Sequence, residues 1–141
     1  MIQLKRENGE FIERISFNEK TLAEIIRAGL KPSQTIFFTS PEFKQQVGFI
    51  VYQKGEEIAR HIHRPLERHL VGTSEVLIIR RGRCEVDIYN NSRELVVTME
   101  LQEGDILIIV SGGHSFRMIE DTVILEIKQG PYIGLQEKER F

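Results

Sequence analysis

The chain has 141 residues, with 19 Lys plus Arg against 21 Asp plus Glu and a formal charge of −2 at pH 7. That length suits one domain with a core of its own, and the charge balance carries no electrostatic footprint for nucleic acid. A single cysteine, Cys84, excludes an intramolecular disulfide and fits a reducing compartment, while the opening MIQLKRENGEF lacks the apolar h-region of a signal peptide and no apolar run approaches the ~18 residues of a membrane helix, so a cytoplasmic protein with no membrane partner is expected.

In chain order, the first element expected is a helix. SFNEKTLAEIIRAGL offers Asn18 as N-cap, Leu22, Ile25 and Ile26 at i, i+3, i+4, Gly29 as the closing residue and Pro32 as a block to continuation. From there the pattern changes to short strands. QTIFFT and VGFIVYQ come first, then EIARHIH, EVLIIR, CEVDIYN, ELVVTMEL, DILIIVS, HSFRMIE and TVILEIK, with turn signals RRGR, YNNSRE, QEGD, SGGH and IEDT in the later stretch. Many short strands and few helices point to a β-sandwich or barrel. DILIIV is apolar on both faces, and EVLIIR places Glu75, Leu77 and Ile79 on one face with Val76 and Ile78 on the other. Strands of that kind are covered on both sides, either by a further layer such as the N-terminal helix or by a second copy in a homodimer.

The stretch from Gly55 to Gly82 holds three of the four histidines, His61, His63 and His69. On a strand His61 and His63 point the same way, about 6–7 Å apart at Cα, which lets two imidazoles converge on one ion. Glu75 opens the next expected strand, EVLIIR, and shares its face with the core residues Leu77 and Ile79, where an unpaired carboxylate is costly. His114 opens HSFRMIE after a glycine turn.

These residues resemble the motifs of the cupin family. Gly55, five residues, His61-x-His63, and later Glu75, six residues, Gly82 match the outer spacings of the first motif. The interval between His63 and Glu75 holds the eleven residues RPLERHLVGTS, longer than the family pattern, and reads as an inserted loop. In the second motif Gly104, five residues and Gly112 are kept, Val110 stands for the proline, His114 arrives one residue early and Met118 replaces the asparagine. The resemblance implies an all-β double-stranded β-helix, or jelly roll, here with a short N-terminal helix. A single domain over 1–141 is expected, with a helical extension over 1–33, the barrel over 34–128 and a tail over 129–141. The resemblance also implies metal ligands His61, His63, Glu75 and His114, a set suited to one divalent Fe, Mn, Ni, Co or Zn with positions left open for a ligand.

Arg60, Arg64 and Arg68 surround the histidines, and Arg80, Arg81 and Arg83 surround Gly82. They read either as a solvated charged face or as a rim that steers an anion toward a cleft. On the second reading the loop folds over the barrel mouth, with Arg64, Arg68 and His69 facing a small anionic or sugar-like molecule; His69 is also a candidate to replace Glu75 as ligand. Cys84 reads as a strand residue, and nothing in the spacing of Tyr52, Tyr89 and Tyr132 selects one as a proton donor. The tail KQGPYIGLQEKERF packs on the barrel or on a partner, or belongs to a sugar-related site. Two functions fit: an enzyme, either a metal-dependent isomerase or epimerase or an iron-type oxygenase, and a non-catalytic binding or sensory module. The sequence designates no catalytic residue.

Overall fold

In the computed structural model, which describes residues 1–7 and 9–141 apart from the side chain of Leu135, the chain is all-β and its paired strands are antiparallel. Three strands come first: β1 (Ile2–Glu7), β2 (Ile12–Phe17) and β3 (Lys20–Ile26). β4 (Ile36–Phe37) and β5 (Gly48–Phe49) are short. The rest are β6 (Glu75–Arg81), β7 (Arg83–Tyr89), β8 (Leu95–Gln102), β9 (Ile106–Ile109), β10 (Gly113–Met118) and β11 (Val123–Lys128), followed by a 3-10 turn at Leu135–Glu137. Among the described residues no helix is long and apolar enough to cross a membrane.

The expected N-terminal helix is absent, and its residues form β3. Phe17 pairs with Lys20, and the two residues between them, Asn18 and Glu19, have φ of 48° and 64°. Positive φ at both positions is the primed hairpin turn that asparagine favours, so Asn18 turns a hairpin where a helix cap was expected. Leu22, Ala23, Ile25 and Ile26 are all buried. A strand covered on both faces shows apolar residues at i, i+3 and i+4 as readily as a helix does, so periodicity does not separate the two.

The chain divides into two units, Met1–Leu30 with Thr73–Phe141, and Lys31–Gly72. In the first, one sheet runs β1-β2-β3-β9-β6-β11 and another β10-β7-β8. The N-terminal segment, expected as an extension, thus supplies half the strands of the larger sheet. Inward side chains of both sheets build one core: Ile15, Leu22, Ala23, Ile25, Leu77, Ile79, Leu107 and Ile109 from the larger, Cys84, Val86, Ile88, Val96 and Leu101 from the smaller. A Val, Leu or Ile side chain among them contributes about 1.5–3 kcal/mol when fully buried. The expected alternation along β6 holds, with Leu77 and Ile79 in the core and Val76 on the opposite face.

A buried charged group closes one end of this core. Asp105, fully buried, accepts bonds from Arg27 Nη1 (2.9 Å), Ala28 N (2.9 Å) and Gln102 N (2.9 Å), while Arg27 Nη2 reaches Glu13 at 2.7 Å. Both carboxylate oxygens of Asp105 are thus bonded and its charge is paired, which is what makes a buried carboxylate tolerable.

In the second unit β4 and β5 pair, with Ile36 opposite Phe49, and the Phe38 and Phe49 rings meet edge to face at 5.5 Å. The expected strand EIARHIH is not a strand. Residues 56–71 pair with no other strand and are exposed. The physical reason is the lack of an apolar face: Ile58 and Ile62 are the only large apolar residues of EIARHIH, and an extended segment without a ladder or a buried face gains nothing from strand pairing.

Candidate functional site

Glu75 and His114 meet inside the first unit. Glu75 is the first residue of β6 in the larger sheet, and His114 the second of β10 in the smaller. His114 Nε2 lies 3.2 Å from Glu75 Oε2, and their side chains are 25% and 11% exposed. The pair therefore bridges the two sheets at one rim of the core, largely out of water but open on one side. The His114 hydrogen bond holds the Glu75 carboxyl below its ordinary range against the opposing effect of burial, and the charge of Lys138 adds to the lowering. A carboxylate on Nε2 fixes the imidazole's orientation and leaves Nδ1 as the nitrogen free to meet a ligand or a metal.

Local chemistry holds each partner in place. Ser74 Oγ donates to Ile109 O at 2.8 Å and Ser74 N donates to Gln129 Oε1 at 2.7 Å, which seats the start of β6. On the other side Gly112 has φ of +78°, and a Cβ there would stand 2.1 Å from Tyr89 O. Only glycine permits this turn and this approach together, and the turn delivers His114 to the inward face opposite Ile88. Phe116, the next inward residue of β10, packs edge to face on the His114 ring at 5.7 Å.

The other two candidate ligands lie in the second unit. The His61 and His63 rings stand 5.2 Å apart at 74°, so they do lie side by side, although no strand aligns them. His61 Nδ1 is 2.9 Å from Ala59 O; as an Nδ1–H donor it leaves Nε2 free as a metal ligand. Arg64, Arg68 and His69 are exposed along the same loop. Among the described residues no group of three or more His, Cys, Asp or Glu side chains is gathered to hold a metal; the four candidates stand as two pairs, Glu75 with His114 and His61 with His63.

Arg83 is spent on surface pairs with Glu100 (3.0 Å) and Glu120 (3.8 Å). Cys84 is buried in the core, where burial raises its thiol above the ordinary range, as expected of a strand residue.

The tail packs on its own unit, one of the places expected for it, and sequence reasoning missed that it is pinned beside both members of the Glu75–His114 pair. Gln129 bonds Ser74, next to Glu75; Phe141 presses on Gly113, next to His114, where a Cβ would come within 2.9 Å of its ring. Phe141 also meets Tyr89 edge to face at 5.2 Å and lies under Arg93 at 5.5 Å, while Arg93 pairs with Glu139 at 2.8 Å. Between these ends Lys128 sits over Tyr132 (5.3 Å) and 3.5 Å from Glu137. The terminal aromatic of KERF was the one legible signal.

No family model matches the chain, and neither a curated protein nor a solved structure does.

Proposed function

We propose that the protein is a cupin-like, metal-binding module for a small polar molecule, anionic or sugar-like, and that its first unit is a double-stranded β-helix. The strand pairing supports the fold reading. β6 takes β11 in one sheet while β7 takes β10 in the other, and the inner pairings β6–β9 and β7–β8 again alternate between sheets. Such nesting is how a long hairpin winds into a jelly roll.

The observation that carries the functional reading is the Glu75–His114 pair, a carboxylate and an imidazole facing each other across the interior with one open side. Both are donors of the borderline class that Fe, Mn, Co, Ni and Zn accept. His61 and His63 are proposed as further donors from the sequence pattern. A divalent ion so held would polarise a carbonyl or hydroxyl oxygen of the bound molecule. Arg64, Arg68 and His69 are proposed to hold its anionic group, since guanidinium grips carboxylate or phosphate through two bonds. Partner chemistry is thus a small molecule; a cytoplasmic homodimer is proposed from the sequence pattern alone, since Val76 of β6 and Ile108 of β9, on the face away from the core, are already buried within the one chain.

Elemental analysis of untagged protein tests the metal. About one equivalent per chain is expected, lost in His114→Ala and in His61→Ala/His63→Ala. A folded wild type that takes up no divalent metal on reconstitution refutes it. Calorimetry with sugar acids and sugar phosphates tests the ligand class: Arg68→Ala/His69→Ala should weaken anion binding while metal content stays unchanged. Equal binding of neutral and anionic analogues by wild type would reduce the basic loop to a solvated surface. Turnover of a bound molecule marks an enzyme of the isomerase, epimerase or oxygenase kind; binding without turnover marks a sensory module.

A further inference from the structure

We propose that the C-terminal tail is a strap closed over the Glu75–His114 pair, with Glu137 occupying Lys128, the cation that a bound anion would otherwise take. This rests on the reading of that pair as the ligand site and adds an autoinhibitory contact to it. All the residues involved belong to the first unit. The strand register sets Lys128 opposite Glu75, Glu126 opposite Leu77 and Ile124 opposite Ile79, so these three residues form the inward row of β11. The interior therefore turns polar at the end where Glu75 and His114 meet. Lys128 is occupied there by the tail. Glu137 Oε2 stands 3.5 Å from its Nζ, and the Tyr132 ring lies 5.3 Å from the same atom. The Glu137 side chain is 11% exposed, against 78% for Glu139 two residues on. Glu137 is thus inserted rather than draped on the surface, and pairing with Lys128 offsets what its burial costs. The next residue acts on the pair as well: the Glu75 carboxyl, held low first by the His114 hydrogen bond, is lowered further by the charge of Lys138.

The end of the tail is fastened on the other sheet. Tyr89 and Gly113 alternate with the inward residues Ile88 and His114, so they lie on the outward row of the smaller sheet. Phe141 packs on both from that side, and Arg93, in the turn between β7 and β8, caps the Phe141 ring and pairs with Glu139. The tail therefore starts on the inward side of the larger sheet beside Glu75 and finishes on the outward side of the smaller sheet beside His114. To do so it crosses the rim between the two sheets at the place where the pair stands. Its anchors are ion pairs and ring contacts, each weak by itself, so the strap lifts while the sheets stay folded. Only nine positions separate Lys128 from Glu137. A carboxylate on so short a tether competes with a free anion through its high local concentration.

Diethyl pyrocarbonate, which acylates imidazole, reads the strap in the full-length protein, with His114 followed by mass spectrometry. Tyr132→Ala/Phe141→Ala loosens the tail on both sheets and changes no charge. Glu137→Gln/Phe141→Ala also withdraws the carboxylate from Lys128. In each, His114 is expected to react about threefold faster than in wild type, or more, while Cys84 stays shielded from thiol reagents because the core is closed. Zn²⁺ uptake should quicken in the same variants with its final stoichiometry unchanged. A smaller rise in the charge-neutral variant overturns the strap, even where Glu137→Gln/Phe141→Ala reacts faster, since that would report the lost charge alone. If Cys84 becomes reactive in the charge-neutral variant, Arg93→Gln, which unclasps Glu139 and Phe141 from outside the tail, decides by the same threshold. Faster His114 acylation in a protein that takes up no Zn²⁺ keeps the strap and refutes the metal reading.

Discussion

His114 Nε2 and Glu75 Oε2 stand 3.2 Å apart and are a polar link between the two sheets at their rim. Neither residue is near the other in sequence, and each is set by a different device: Glu75 by the Ser74 bonds, His114 by the Gly112 turn. Removing one leaves the other half-buried without its partner, which costs more than removing both. Glu75→Gln and His114→Gln should each lower the unfolding midpoint, and the double variant less than their sum. A double-mutant cycle in urea is expected to give about 1–3 kcal/mol of coupling. Additive effects would show that the pair does not join the sheets.

Glu24 is 2% exposed and takes a bond from Arg14 Nε (3.1 Å), and among the described residues its Oε2 has no hydrogen-bond partner. Burial raises its carboxyl above the ordinary range, with Arg14 offsetting only part. A raised acid stabilises the fold below the unfolded value of about 4.3 and loses that stability as pH rises through the folded one. Glu24→Gln stays neutral throughout. Its stability relative to wild type should therefore grow with pH across this window and then level. The gain is about 1.4 kcal/mol for every tenfold by which folding weakens the acid. Urea titrations that give a pH-independent difference would contradict the assignment.

Gly112→Ala places a methyl group 2.1 Å from Tyr89 O at a positive φ. The loss should exceed about 1 kcal/mol, and the His114 ring signals should shift in an NMR spectrum, because this turn aims that side chain. An unchanged midpoint would show that the turn relaxes without cost.

Phe141→Ala removes the ring that touches Tyr89, Arg93 and Gly113. The aromatic pair contributes about 0.5–1.5 kcal/mol beyond its buried area. Hydrogen exchange should quicken across residues 131–141 and leave the core strands β7 and β9 unchanged. Protection of the tail at the wild-type level would show that Glu139 and Gln129 hold it alone.

Strands whose alternation matches a single buried face or a fully buried core were legible from the residues alone. EVLIIR, CEVDIYN, ELVVTMEL, DILIIV, HSFRMIE and TVILEIK all appear as β6 to β11, within a residue or two of the expected ends. The same pattern drew attention to Glu75 and His114, because a glutamate in line with Leu77 and Ile79 needs a partner. Other features came from long-range contacts. LAEII became β3 because β2 and β9 were there to pair with it on either side, a contact that local periodicity does not encode. EIARHIH stayed unpaired because no strand offered it a ladder. The tail's place beside the Glu75–His114 pair depends on Phe141 finding Tyr89 and Gly113, residues far away along the chain. Periodicity reports which face of an element avoids water; which neighbour covers that face is set by contacts that exist only after the chain has folded.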